Sequence, residues 1–329
     1  MIITRTPLRI SLFGGGTDYP EYYHNAPNGG AVLGFALDKY VYLTVRELQP
    51  FHEHCVRLVY SKIELAERTA DLIHPAARTV LQEARIYSNI EITHAADLPA
   101  RSGLGSSSSF VVGLINALDY LRGQHRSPVS LSYEATRIER GVMKEAGGEQ
   151  DQIFAAIGDL LHVKFPTACG VPNVNRPRIP ADRVSLLLSH LMLAFTGEVR
   201  DAPTISSSLN LDPESRHLRR MRIMVDQALD ILIQYGPIDA LGDLLDEAWV
   251  LKQALSPAVT TPTVDTLYAR AKAAGAIGGK LLGAGGGGFM LLFARPEDQS
   301  VVRAALPELV FVPIGIDRYG STVVVNGVK

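Results

Sequence analysis

Residues 99–109 read PARSGLGSSSS and run directly into FVVGLINALDYL, an apolar stretch with helical spacing. This junction constrains the chain more than any other segment. Gly103 and Gly105 allow a tight turn and let a ligand approach the backbone with no Cβ in the way. The helix predicted over 105–122 presents unpaired N–H groups and the positive end of its dipole at that turn. Such a terminus receives phosphate, and the hydroxyls of Ser106, Ser107 and Ser108 add donors. A serine-rich turn that merely caps a helix is the other reading, and the segment alone does not choose between them. Neither common phosphate signature is present. A serine stands at the third glycine position of GxGxxG, and the Gly279–Lys280 pair is followed by Leu281 rather than Ser or Thr.

Two further glycine clusters bear on the choice: TPLRISLFGGGTDYPEYY at 6–23 and KLLGAGGGGFMLLFA at 280–294. Both are flanked by apolar runs, whereas linker glycine sits in polar, low-complexity sequence. Backbone that is closely approached by something explains them better.

The remaining pattern is α+β, strand-rich at first and helix-rich later. Strands are predicted over 1–13, 30–36, 39–47, 54–60, 89–95 and 159–165, and helices over 105–122, 130–145 and 150–157. Residues 166–180 hold four prolines and read as loop or edge. The run VSLLLSHLMLAF, 184–195, reads as one or two buried strands and is too short to span a membrane. Helices follow over 213–235, 237–254, 262–274 and 296–305, with strands over 288–294 and 308–314. A domain boundary falls near 180–190, giving expected units of 1–185 and 186–329.

A length of 329 residues suits two ordinary domains. With 47% apolar residues, 20% charged residues and a net charge of −2, the chain shows no basic footprint for nucleic acid. The basic run RHLRRMR at 216–222 reads as the wet face of a helix. Two distant cysteines, Cys55 and Cys169, imply neither a disulfide framework nor a zinc site. The N-terminus reads as a strand rather than a signal peptide. A cytoplasmic enzyme that binds neither nucleic acid nor membrane, and that could form a homo-oligomer, is expected.

The three glycine segments, in this order, resemble the motifs of the GHMP small-molecule kinases, which include galactokinase, homoserine kinase, mevalonate kinase and phosphomevalonate kinase. Residues 99–108 are similar to the family's P-x-x-x-G-L-G-S-S motif. The resemblance implies nucleotide binding by Pro99, Arg101, Ser102, Gly103, Leu104, Gly105, Ser106, Ser107 and Ser108. It implies ATP and Mg²⁺ as cofactors, with Ser107 (Ser106 as alternative) and Glu139 as metal ligands. It implies a ribosomal protein S5 domain 2-like N-terminal domain and a ferredoxin-like C-terminal domain, with the site between them. GGEQDQ at 147–152 resembles the galactokinase segment ending in Met-Asp-Gln, which places Asp151 beside the acceptor hydroxyl. Arg9 falls at the galactokinase arginine. By composition alone, Asp151 belongs to a solvated helix and turn, and Arg9 to a strand-edge ion pair.

On the substrate side the resemblance puts Gly15, Gly16, Thr17, Asp18, Gly148, Arg200, Gly285 and Gly286. Galactokinase carries Gly-Glu-His-Thr-Asp where this chain has Gly14 to Asp18, so two sugar contacts are lost. GGGTDYPEYY and LAFTGEVRDAPTI, 193–205, look most like the heptose kinases, which phosphorylate the anomeric hydroxyl of D-glycero-D-manno-heptose 7-phosphate. A phosphorylated acceptor needs a second cationic site, and arginine suits it best. Arg200 is the first candidate, ahead of Lys39 and Arg101. Kinase action on an unphosphorylated sugar, an ATP-dependent decarboxylase of a small acid, and a non-catalytic sugar sensor are the alternatives.

Overall fold

The apolar runs at the N-terminus build two long strands, β1 (Ile2–Phe13) and β2 (Gly30–Glu47), paired antiparallel. The sequence predicts two strands over 30–47, but the structure forms one. Pro7 pairs with Tyr40 and Leu8 with Leu37, so Asp38 and Lys39 bulge out at the point where the pattern breaks. The structure is a computed structural model, and it describes residues 1–167, 170–198 and 202–327.

Further strands are β3 (Val56–Val59), β4 (Ile63–Ala66), β5 (Ile90–Ala96), β6 (Leu160–Phe165) and β7 (Asn173–Asn175). Then come β8 (Leu191–Phe195), β9 (Gly278–Leu281), β10 (Phe289–Phe293), β11 (Val310–Val312) and β12 (Thr322–Asn326). The first sheet runs β12-β1-β2-β5-β3-β4, with β6 also on β2 and β7 on β6. It is mixed, because β3 and β5 pair in parallel. The second sheet is antiparallel, in the order β11-β8-β10-β9. After completing the second sheet the chain returns, and β12 adds to β1.

The helix Ser106–Leu121 lies on β1 and β2 with nearly every residue from Ser108 to Asp119 buried. Burying Val111, Val112 and Leu114 there contributes roughly 1.5–3 kcal/mol each. Gly113 permits the approach, since a Cβ at that position would lie 2.7 Å from Thr6 Oγ1. The predicted 130–145 helix begins at Pro128, loosens into a wider π turn over Arg137–Val142, and ends before Gly147.

One expectation is corrected. Residues 184–190 are not strand but the end of a helix, Ala181–His190, with strand only in β8. Arg183, Leu187 and His190 are buried at helical spacing, and the apolar run hid the change of period. The helix Arg216–Ile233 buries Leu218, Met221, Met224 and Val225, which leaves Arg216 and Arg219 exposed and Arg220 half-buried at the wet face, while Arg222 is largely buried. Arg220 pairs with Glu247, and Arg222 with Asp226. Among the described residues no helix is long and apolar enough to cross a membrane.

Candidate active site

A cleft of about 960 Å³ opens between the β1–β2 layer and the helices and loops of the second sheet. Its floor is set by the glycine turn that precedes Ser106. Gly103 and Gly105 adopt φ values of +84° and +76°, a region disfavoured for residues bearing a Cβ. A Cβ on Gly103 would lie 2.5 Å from the Leu282 carbonyl oxygen, so this loop rests directly on the C-terminal glycine loop. Phe289 N–H donates to the Ser102 carbonyl at 3.0 Å and reinforces that contact.

Arg101, Gly103, Gly105, Ser106, Ser107 and Ser108 line the cleft, as expected from the sequence. Pro99, Ser102 and Leu104 do not; they form the back of the loop. Ser102 Oγ donates to the Pro99 carbonyl at 2.6 Å, and Arg9 N–H donates to the Leu104 carbonyl at 3.0 Å. The first-turn N–H groups at Ser106–Ser108 have no partner within the helix and are available to an anion.

Arg9 and Asp151 meet beneath this loop. Arg9 donates through Nε and a terminal nitrogen to the two carboxylate oxygens of Asp151, at 2.6 and 2.7 Å. Its other terminal nitrogen donates to the Gly103 carbonyl. The Arg9 side chain is 7% exposed and that of Asp151 23%, so the carboxylate faces the open cleft while the guanidinium is held below it. The ion pair expected of a strand-edge arginine is real, and its partner is Asp151.

Asp18 sits beside them, buried. It accepts from Gly16 N–H at 2.9 Å and Gln150 Nε2 at 2.8 Å. Burial, and secondarily the Asp151 charge, push its carboxyl up to about 6. Gly148 is required here, because a Cβ would fall 1.8 Å from Asp18 Oδ2. Gly15 and Gly16 line the cleft. Thr17 does not; its hydroxyl donates to the Gly14 and Ala31 carbonyls and fixes the turn.

Gly285 and Gly286 are also not at the cleft. Gly286 N–H donates to the Val259 carbonyl at 2.8 Å, and a Cβ on Gly285 would clash with the same group. Gly283 and Ala284 reach the cleft instead. Arg200 lies outside the described residues. Lys39 is spent on its neighbour Asp38, at 2.9 Å.

The hydroxyl brought to Glu139 is that of Ser108, at 3.2 Å, whereas Ser107 is exposed. Four serines in a row hid this register, which only the helix phase decides. Glu139 also accepts from Gln152 Nε2, and burial pushes its carboxyl up to about 8. Gln152 Oε1 is buried beside it and has no partner among the described residues. A carboxylate, a hydroxyl and an amide oxygen form a hard donor set that fits Mg²⁺. Ser108→Ala with Glu139→Gln is expected to raise the Mg²⁺ requirement of turnover by about tenfold or more. Initial rates across an Mg²⁺ titration check this, and an unchanged requirement removes both residues from the metal site.

Sequence reasoning missed two groups. Tyr60, His74, His94 and Phe110 gather at one end of the cleft, with His74 and Phe110 rings 4.9 Å apart. Burial lowers both histidines, which favours their uncharged form. Its members come from segments with no shared motif. Lys252 also lines the cleft, and nothing in AWVLKQ separates it from a solvated helix position.

Comparison with known sequences matches "GHMP kinases N terminal domain" over residues 71–159 and "GHMP kinases C terminal" over 224–310. A D-glycero-alpha-D-manno-heptose 7-phosphate kinase from Campylobacter jejuni is 27% identical over 328 residues, covering 94% of this chain and 95% of the relative. A mevalonate kinase from Thermococcus sibiricus is 26% identical, covering 73% of this chain and 70% of the relative. The crystal structure of a D-glycero-D-manno-heptose 1-phosphate kinase from Bacteroides thetaiotaomicron superposes with a TM-score of 0.77 at 23% identity, covering 98% of each chain.

Proposed function

Because the chain belongs to the GHMP kinase superfamily of phosphotransferases, we propose that it is a sugar kinase acting on the anomeric hydroxyl of D-glycero-D-manno-heptose 7-phosphate, with ATP as donor. The observation that carries the catalytic part is the Arg9–Asp151 pair, held under the Gly103–Ser108 loop and next to buried Asp18. The N–H groups of that loop cradle the nucleotide phosphates, and the recess at His74 and Phe110 takes the base. Asp18 accepts hydrogen bonds from acceptor hydroxyls. Asp151 orients the attacking hydroxyl and takes its proton as the phosphorus–oxygen bond forms. Arg9 fixes the rotamer of Asp151 and offsets charge on the group in transfer. Ser108 and Glu139 would hold Mg²⁺, which when bound neutralises charge on the phosphate oxygens.

The heptose part rests on the likeness to the Campylobacter jejuni enzyme over nearly the whole chain. The mevalonate kinase likeness supports a different acceptor, a small carboxylic acid. Buried Asp18 favours the sugar, since a carboxylate substrate would meet a second carboxyl group in a site shielded from water.

A phosphate held by arginine contributes charge-assisted hydrogen bonds of roughly 1.5–3 kcal/mol each. Two of them discriminate on the order of a hundredfold or more against the unphosphorylated sugar. The test compares kcat/KM for heptose 7-phosphate, free heptose, mannose and galactose with ATP and Mg²⁺. Equal efficiency with and without the 7-phosphate moves the assignment to an unphosphorylated sugar. Arg200→Ala is expected to damage only the phosphorylated substrate, and an equal loss for all sugars would place the anion site elsewhere.

A further inference from the structure

The cleft holds more positive charge than the Arg9–Asp151 pair uses. Lys252, in the last turn of the helix Asp239–Gln253, and Lys280, in β9, both line it. Lys252 Nζ donates to the Leu281 carbonyl at 2.8 Å and the Gly283 carbonyl at 2.5 Å. An ammonium has three donors; the Trp249 ring centroid lies 5.9 Å from Nζ, and among the described residues the third donor has no hydrogen-bond partner. Lys280 is 6% exposed, and its Nζ donates across to the Leu12 carbonyl of β1 at 2.7 Å. The two carbonyls under Lys252 belong to the segment that packs on Gly103. The ammonium is therefore fixed within the cleft relative to the nucleotide loop.

We propose that Lys252 is a phosphate-binding residue, which offers its free N–H to a phosphate in the cleft from the segment that packs on the Gly103–Ser108 loop. This rests on the phosphotransfer reading above. The charge that acts on Lys252 is Arg9 from β1, which is repulsive, and Lys280 from β9, Asp18 and Asp151 line the same cleft. Burial, then Arg9, pushes the Lys252 amine down to about 7, and burial, then Lys252 and Arg9, lowers the Lys280 amine well below its ordinary value. Near neutral pH part of the Lys252 population has no proton. A phosphate anion supplies the missing counter-charge, raises the amine's affinity for a proton and draws one in. The phosphate is either the group in transfer or the one the acceptor already carries.

Calorimetry on the full chain separates these sources. A non-hydrolysable ATP analogue, heptose 7-phosphate and free heptose are each titrated with Mg²⁺, slightly above neutral pH, in two buffers of different ionisation enthalpy. Wild type, Lys252→Met and Lys252→Arg are compared, so the ligand's own ionisation cancels. Wild type is expected to take up protons with one of the phosphate ligands and not with free heptose. With that ligand Lys252→Met loses the uptake and binds at least about tenfold more weakly. Uptake with the ATP analogue assigns the group in transfer, and uptake with heptose 7-phosphate assigns the acceptor's phosphate. Lys252→Arg, permanently charged, keeps Kd within a few-fold and shows no uptake, which stands as the test should Lys252→Met not fold. Proton uptake in Lys252→Arg equal to wild type, or an unchanged Kd for both phosphate ligands in a folded Lys252→Met, overturns the assignment. Lys252-dependent uptake in a protein that turns over no sugar would sustain the binding role while refuting the kinase function. Turnover without such uptake would refute the binding role alone.

Discussion

Asp151→Asn is expected to lower kcat by about a hundredfold or more, the scale of a positioned proton acceptor, while ATP affinity stays within a few-fold. Asparagine preserves the shape of the side chain and can still hydrogen-bond to Arg9, but it accepts no proton at working pH. The carboxylate is the exposed member of its pair, at 23% against 7% for Arg9, so the loss falls on the acceptor side of the cleft. Arg9 is left with a weaker partner in a buried position, which lowers stability as well; a thermal melt separates that effect from the rate. A second readout comes from Asp18, whose carboxyl sits at about 6 partly because Asp151 repels its charge. Removing that repulsion favours ionised Asp18, so any acid limb it produces in kcat/KM moves to lower pH. Near-normal kcat with the true sugar would show that Asp151 is not the catalytic acid–base group.

Gly105→Val is expected to weaken ATP binding by about a hundredfold or more while the chain still folds. Gly105 caps the helix Ser106–Leu121 at φ +76°, where a β-branched residue is a strong outlier. A Cβ there would lie 3.2 Å from both Arg9 Cγ and Asp151 Oδ2. The branch atoms would press on the ion pair and block the first-turn N–H groups. Calorimetry with ATP checks this, beside a melt to confirm folding; unchanged affinity in folded protein removes the loop from nucleotide binding. Gly103→Val is the informative contrast. Its Cβ would meet the Leu282 carbonyl at 2.5 Å, which forces two backbone segments apart and damages the fold itself.

The glycine segments told the most because glycine is chosen for backbone geometry, and geometry survives in the sequence as a fixed spacing. Gly103, Gly105, Gly148 and Gly16 stand where their surroundings admit no side chain or a positive φ is needed. Asp151 and Asp18 were legible only through their place in those segments. The Ser108–Glu139 contact was not, because one step of helix phase among identical residues leaves no trace in composition. Lys252 and the His74–Phe110 recess were hidden for another reason: they are brought to the cleft by tertiary packing of elements far apart in sequence. The failure at 184–190 came from a run so apolar that neither period stood out. The strands β4, β9 and β12 were missed because short strands of three to five residues carry too little pattern to read.

The last strand gives the molecule an order of assembly. β1 carries Arg9 and lies between β2 and β12, and β12 is supplied by residues 322–326. As synthesis proceeds, β2 follows β1 closely, but the other margin of β1 stays bare until residues 322–326 have emerged. Ile2–Arg5 would present open backbone donors and acceptors throughout that interval, the kind of margin on which foreign strands add. The strand that holds Arg9 is thus made well before one of its margins is covered. A newly made chain depends on β12, or on a chaperone standing in for it, to keep that margin from being claimed by a neighbour.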